Sequence, residues 1–175
     1  FIEITGIDKP LPVGAVKGVV LSSIHELASR YETSNTQVNQ LWKNITWSSY
    51  GNFLSIPTDC PQRNERLGWA GDISVFSRTA TYLADVPQFL RRYLRSMRDV
   101  QRTDGRFPDI APLGGGFGGL LWGSAGITVP WECYQQYGDT ILLSEHYDAM
   151  KRYIQYIIDN TIETETNLIV QTRSW

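Results

Sequence analysis

The residues best placed to do chemistry lie in one stretch, Asp59-Cys60-Pro61-Gln62-Arg63-Asn64-Glu65-Arg66-Leu67-Gly68-Trp69-Ala70-Gly71-Asp72, which holds three carboxylates, two arginines and a tryptophan. Pro57, Pro61, Gly68 and Gly71 bound or interrupt it, so the reading is a loop that runs into a helix. So many ionisable groups are costly to hold in one loop unless their charges are used. Carboxylates beside an aromatic ring and arginines suit cleavage of a glycosidic bond, where one acid holds a proton while its neighbours stay ionised. Each residue also has a plainer reading. Glu65 can be a loop salt bridge to Arg63 or Arg66, Asp59 a turn cap ahead of Pro61, Asp72 a first-turn helix residue, and Trp69 a core residue.

The elements that must position this stretch are mostly helices. Asn35 or Ser34 can cap a helix carrying Val38, Leu41, Trp42 and Ile45 on one face. A second helix is expected from about Gly68 to Leu83. A third begins at Pro87, which suits a first turn, and reaches about Arg102. Phe89, Leu90, Tyr93, Leu94, Met97 and Val100 make its apolar stripe. A fourth covers about Ser124 to Tyr137 with an interruption at Pro130, and a fifth about Leu142 to Asn160. Leu168 to Gln171 reads as a short strand or extended turn. Short joins at Ala84-Asp85 and Gly138-Asp139 alternate with long loops around 51–67 and 103–123. That alternation predicts helical hairpins with the long loops at one end, the expected active face. Before the helices, Phe1 to Thr5 and Val16 to Ser22 have strand-like patterns.

Composition narrows the function classes. The net charge of -2 arises from 16 basic and 18 acidic residues spread along the chain, which argues against a nucleic-acid surface. The 42% hydrophobic content is enough for a core, yet no run is long enough to span a membrane. Six Trp and nine Tyr suit either sugar binding or an aromatic core. Cys60 and Cys133 make no disulfide framework and lack metal-site spacing, so each is expected as a buried free thiol. His25 and His146 are expected as surface or packing residues, and the glycine run at 114–116 lacks the context of a phosphate loop. No cofactor and no metal are expected. The abrupt start at Phe1 and stop at Trp175 suggest cuts through a longer protein, and the compartment is unassigned.

The run Gly51-Asn52-Phe53-Leu54-Ser55-Ile56-Pro57-Thr58, continuing into the Asp59–Asp72 stretch, resembles the signature of bacterial α-L-rhamnosidases, six-hairpin glycosidases with an (α/α)6 barrel. Further matches are Arg98 to Gly105, Phe107-Pro108-Asp109, Val129-Pro130-Trp131-Glu132 with Tyr134, and Tyr137-Gly138-Asp139. The resemblance implies a mainly α fold: residues 34–175 as the first part of the (α/α)6 barrel, and residues 1–33 as the last strands of a preceding β-sandwich domain with a linker. It implies hydrolysis of terminal α-L-rhamnosides with inversion. Glu65 takes the general-acid position, and Asp59, Arg63, Trp69 and Asp72 take sugar-contacting positions. Trp122 and Trp175 flank the presumed active-face loops and are further pocket candidates. Asp59 and Asp72 would favour protonated Glu65 by like-charge repulsion, and the arginines would oppose it.

Two positions depart from the family pattern, Asn64 and Ser124, where Asp is usual. An inverting enzyme also needs a second carboxylate about 6.5–9.5 Å away to activate water. The resemblance puts that base in the second half of the barrel, and Glu132, the tempting substitute, reads as structural. The implied partners are a rhamnose-containing oligosaccharide, polysaccharide or glycoside, the remainder of the same catalytic domain, and a possible second copy. The other readings are a six-hairpin glycosidase for a different terminal sugar and a sugar-binding relative without turnover.

Overall fold

A computed structural model describes residues 3–116 and 119–170 of the chain. Helix α1 (Thr36–Asn52) starts where Asn35 accepts hydrogen bonds on its side-chain oxygen from the amides of Gln37, at 2.9 Å, and Val38, at 3.3 Å. It runs into a minimal antiparallel hairpin, β1 (Phe53–Leu54) and β2 (Ile56–Pro57), paired Phe53 to Pro57 and Leu54 to Ile56 around Ser55. The helices α2 (Ala70–Leu83), α3 (Pro87–Asp99), α4 (Leu120–Gly123), α5 (Ala125–Tyr137) and α6 (Thr140–Thr161) follow. The architecture is mainly α, as the sequence implies, and each of the five long helices appears within a few residues of its expected place.

Helix α5 is the centre of the array, packing on α2, α3, α4 and α6. The expected apolar stripe of α3 forms much of the core: Leu90, Tyr93, Leu94 and Met97 are fully buried and Phe89 nearly so. Phe53 of the hairpin stacks on Phe89 with centroids 4.6 Å apart, which fastens β1 to the core. Pro130 sits buried inside α5.

The short joins meet at one end. Arg91 donates through Nη2 to both Asp139 carboxylate oxygens, at 2.8 and 2.7 Å, and Tyr137 donates its hydroxyl to the Thr81 carbonyl. Asp139 also accepts from the Leu142 amide at 2.9 Å, capping α6, and Gly138 ends α5 in the left-handed conformation. The long loops meet at the other end, where Ala111 donates its amide to the Gly68 carbonyl and residues Trp69 and Ile110 form an isolated β-bridge.

The strands expected near the start of the chain are absent among the described residues. Residues 3–21 are exposed and hold one 3-10 turn at Val13–Ala15. A strand-like pattern forms a strand only with a ladder partner, and Val19 and Leu21 lie 81% and 67% exposed with none. Residues 22–28 instead strap the helical unit: the Ser23 amide and Ser22 hydroxyl donate to the Phe53 carbonyl, and the Ala28 amide to that of Leu83. At the far end, the extended turn expected at Leu168 to Gln171 is an isolated bridge between Ile162 and Ile169, with Gln171 outside the described residues. No described helix is long and apolar enough to cross a membrane.

Candidate active site

The loop between β2 and α2 is closed at its base by Asp59. Its amide donates to the Leu67 carbonyl at 3.1 Å, and its Oδ1 accepts from the Leu67 amide at 3.0 Å. Inside this clasp the backbone turns tightly. The Arg63 amide donates to the Cys60 carbonyl, the Glu65 amide to that of Arg63, and Cys60 and Arg66 take positive φ angles of 41° and 52°. Non-glycine residues in that region cost conformational energy and persist only where surrounding contacts enforce them. The loop therefore spends stability to aim the side chains between Asp59 and Leu67.

Glu65 is the most elaborately held of these. Its Oε1 accepts from Trp69 Nε1 at 3.1 Å, and its Oε2 pairs with Arg63 Nη2. The Glu65 side chain is 27% exposed, so it is constrained yet open to solvent. Trp69 is itself fixed through its backbone by the bridge to Ile110. Gly68, just before it, leaves no room for a side chain, since a Cβ there would lie 2.1 Å from the Ala111 carbonyl oxygen. Tyr93 of α3 donates its hydroxyl to the Gly68 carbonyl at 3.0 Å. The plain reading of Glu65 as an ion pair with Arg63 is met in this geometry. Arg66 turns away and donates its Nε to the Pro61 carbonyl.

Asp72 stands in the first turn of α2 and is exposed as a residue. Even so, the protein packed against its carboxyl disfavours the charged form and pushes it above the ordinary carboxylate value, and the negative Asp59 and Glu65 add to that effect. Asp59 and Asp72 line one cleft of about 630 Å³ between α1 and α2, walled by Leu41, Ile45, Phe53 and Phe76. The structure brings Asp59, Arg63, Glu65, Trp69 and Asp72 into one neighbourhood. Trp122 joins it from α4, its ring so close over α2 that a Cβ on Gly71 would come within 2.8 Å. Trp175 lies outside the described residues.

Cys60 corrects an expectation. It is half-buried rather than buried, because the turn it occupies projects from the body, whereas Cys133 is fully buried as expected. Its Sγ and one oxygen each of Asp59 and Glu65 lie within 4.8 Å of one another, the one such group among the described residues. A metal would compete there with Arg63 for Glu65. The Asp59 carboxylate beside the thiol, with partial desolvation, also pushes its pKa up, away from the thiolate a metal needs.

Glu132 pairs with Arg78 at 3.7 Å across α5 and α2, in keeping with a structural role. At Ser124 the hydroxyl donates to the Leu121 carbonyl at 2.8 Å, where α4 breaks into α5, so this departure makes a local structural bond. Asn64 is exposed. His146 is a packing residue, fully buried and stacked on Phe107 at 5.7 Å. Burial, with the Arg98 charge beside it, pushes it down to about 4 and keeps it neutral. Residue-by-residue reading missed Asp109, 1% exposed in the second long loop, whose carbonyl accepts from the Ala70 amide at 2.8 Å. The signal was a lone carboxylate inside the apolar run Phe107-Pro108-Asp109-Ile110-Ala111.

Comparison with known proteins agrees with the mainly helical fold. A family model described as the bacterial alpha-L-rhamnosidase 6 hairpin glycosidase domain matches residues 26–173. An alpha-L-rhamnosidase of Streptomyces avermitilis is 42% identical over 159 residues, covering 90% of this chain and 15% of that protein. One from Formosa agariphila is 39% identical over 160 residues, covering 89% and 17% respectively. The crystal structure of the Streptomyces avermitilis enzyme complexed with L-rhamnose superposes with a TM-score of 0.76 at 43% identity, over 79% of this chain and 14% of that one. The chain thus spans less than a fifth of the length of these relatives.

Proposed function

The chain belongs to the bacterial alpha-L-rhamnosidase family of six-hairpin glycosidases, and from that we propose that it serves the inverting hydrolysis of terminal α-L-rhamnosides, with Glu65 as the general acid. The observation that carries this is the seat of Glu65, one oxygen on the Trp69 indole N–H and the other on Arg63. A glycosidic oxygen leaves readily only if it gains a proton as its bond to the anomeric carbon breaks. In this reading Glu65 delivers that proton. Water adds from the opposite face of the sugar and gives its own proton to a base, which we place on the second half of the barrel. Arg63 and Trp69 set the direction of the acid and contact the sugar. Asp59 and Asp72 share a cleft, and their oxygens suit acceptance of hydrogen bonds from sugar hydroxyls. The rings of Trp69 and Trp122 suit the apolar C6 methyl. Trp175 remains a pocket candidate on the resemblance alone.

The substrates proposed are rhamnose-ended glycosides, oligosaccharides or polysaccharides. The test is Glu65→Gln in the full-length protein, assayed on aryl α-L-rhamnosides. Loss of a general acid should lower kcat by about 10²- to 10⁴-fold, and less for aglycones that depart without protonation. NMR of the first product should show β-rhamnose. A kcat unchanged by the substitution, or release of another sugar with no rhamnose, would sink the proposal. Rhamnose bound but never released from a glycoside would make the protein a binding relative.

A further inference from the structure

We propose that Asp109 is a positioning residue for the acid-bearing segment, holding Glu65 in place through Ala70 and Trp69. This rests on reading Glu65 as the acid.

Asp109 is buried to 1% exposure, too deep to meet a substrate. A carboxyl group in such a place is costly unless its hydrogen bonds are made. Here they organise both long loops. The Asp109 carbonyl accepts from the Ala70 amide at 2.8 Å. That amide is the first of α2, a helix with no side-chain cap, so the loop around Asp109 supplies the missing acceptor. The next residue, Ile110, bridges Trp69, and Ala111 donates to the Gly68 carbonyl at 3.0 Å. Residues 109–111 therefore fix the backbone from Gly68 to Ala70, and Trp69 carries the N–H that Glu65 accepts.

The Asp109 side chain and backbone together fix residues 109–111 in turn. Its Oδ1 accepts from the Gly119 amide at 2.9 Å, and its own amide donates to the Gly115 carbonyl at 3.0 Å. The glycine turn wraps the carboxylate so tightly that a Cβ on Gly116, at φ +79°, would lie 2.1 Å from Oδ2. Behind Asp109 the loop has no slack. Phe107 is fully buried between His146 and Tyr153, and a Cβ on Gly126 of α5 would lie 2.1 Å from its ring. With Phe107 anchored, a change at the carboxylate is passed toward α2 and Trp69.

The test compares Asp109→Ala, Asp109→Asn and Gly116→Ala in the full-length protein, by rhamnoside kinetics, thermal melting and hydrogen exchange. A displacement of about 1 Å at a reacting group can cost about 100-fold, so Asp109→Ala and Gly116→Ala should lower kcat by about 10- to 100-fold with KM nearly unchanged. Assays run well below each variant's melting temperature. Amide exchange should quicken at Leu67 to Asp72. Asp109→Asn, which keeps the Oδ1 acceptor, should recover most of kcat. Unchanged kcat in both other variants, unchanged exchange at 67–72, or a kcat loss that merely follows melting would overturn the proposal. If the wild-type protein releases no rhamnose, the reading of Glu65 falls, and the exchange rates still decide the coupling by themselves.

Discussion

At the scale of residues, the site gives single side chains two tasks. Asp59 closes its loop with one oxygen while lining the α1/α2 cleft, and Arg63 neutralises Glu65 while orienting it. Trp69 lets the orienting contribution be measured alone. Trp69→Phe keeps an apolar ring and deletes the N–H that meets Glu65 Oε1 at 3.1 Å. A hydrogen bond to a charged group contributes about 1.5–3 kcal/mol, so, on the proposed role of Glu65, kcat of the full-length protein should fall by about 10- to 100-fold, with KM changing far less. A variant as fast as the wild type would show that Glu65 needs no such donor. The density of charge between Asp59 and Asp72 was plain in the sequence because the groups are local. The contribution of Asp109 was not, since it acts on α2 from a loop about 40 residues away in the chain, through a backbone contact that no local pattern encodes.

At the scale of elements, helices declared themselves where their signals are local: the Asn35 cap, Pro87 at the start of α3, and the apolar stripe that α3 buries. The start of α2 was placed less well, at Gly68 rather than Ala70, because its first amide is satisfied by Asp109 and not by a neighbouring side chain. The strand patterns before Ser22 form no strand among the described residues, since alternation describes a strand that still needs a partner. The α5–α6 turn offers a prediction with a pH signature. At Asp139 burial, the largest effect, opposes ionisation, but the Arg91 hydrogen bonds and the Leu142 amide outweigh it and hold the carboxyl below its ordinary value. A depressed carboxylate stabilises the fold above its unfolded-state value and loses that contribution as pH falls through the folded-state value. Asp139→Ala should cost about 1 kcal/mol at neutral pH from the lost cap alone. The gap from wild type should narrow in acid, below the usual carboxylate range. Melting curves of the full-length protein at neutral and acid pH measure both effects, and a gap that does not change with pH would mean that the Arg91 pair contributes little.

At the scale of the whole molecule, the helices divide into a well-filled interior and surfaces that no described residue covers. The interior is continuous from Phe53 through α3 and α5 to Tyr153 on α6. Outside it, Val75 and Tyr82 of α2 and Trp131 of α5 are 73%, 55% and 50% exposed, as are Ile154 and Ile158 of α6 at 44% and 50%. Leu41 of α1 is 57% exposed beside the cleft, so the apolar stripe expected of that helix borders open space instead of core. Apolar surface on this scale favours association in water. The cost of leaving it bare also subtracts from a folding free energy that is only about 5–15 kcal/mol in ordinary domains. The 175-residue chain produced alone should therefore self-associate, bind an apolar dye and melt broadly. Light scattering across a concentration series and calorimetry at the same concentrations would decide. A monomer that melts in one sharp, concentration-independent step would show that the interior around α5 is sufficient, and that the exposed faces of α1, α2 and α6 need no cover.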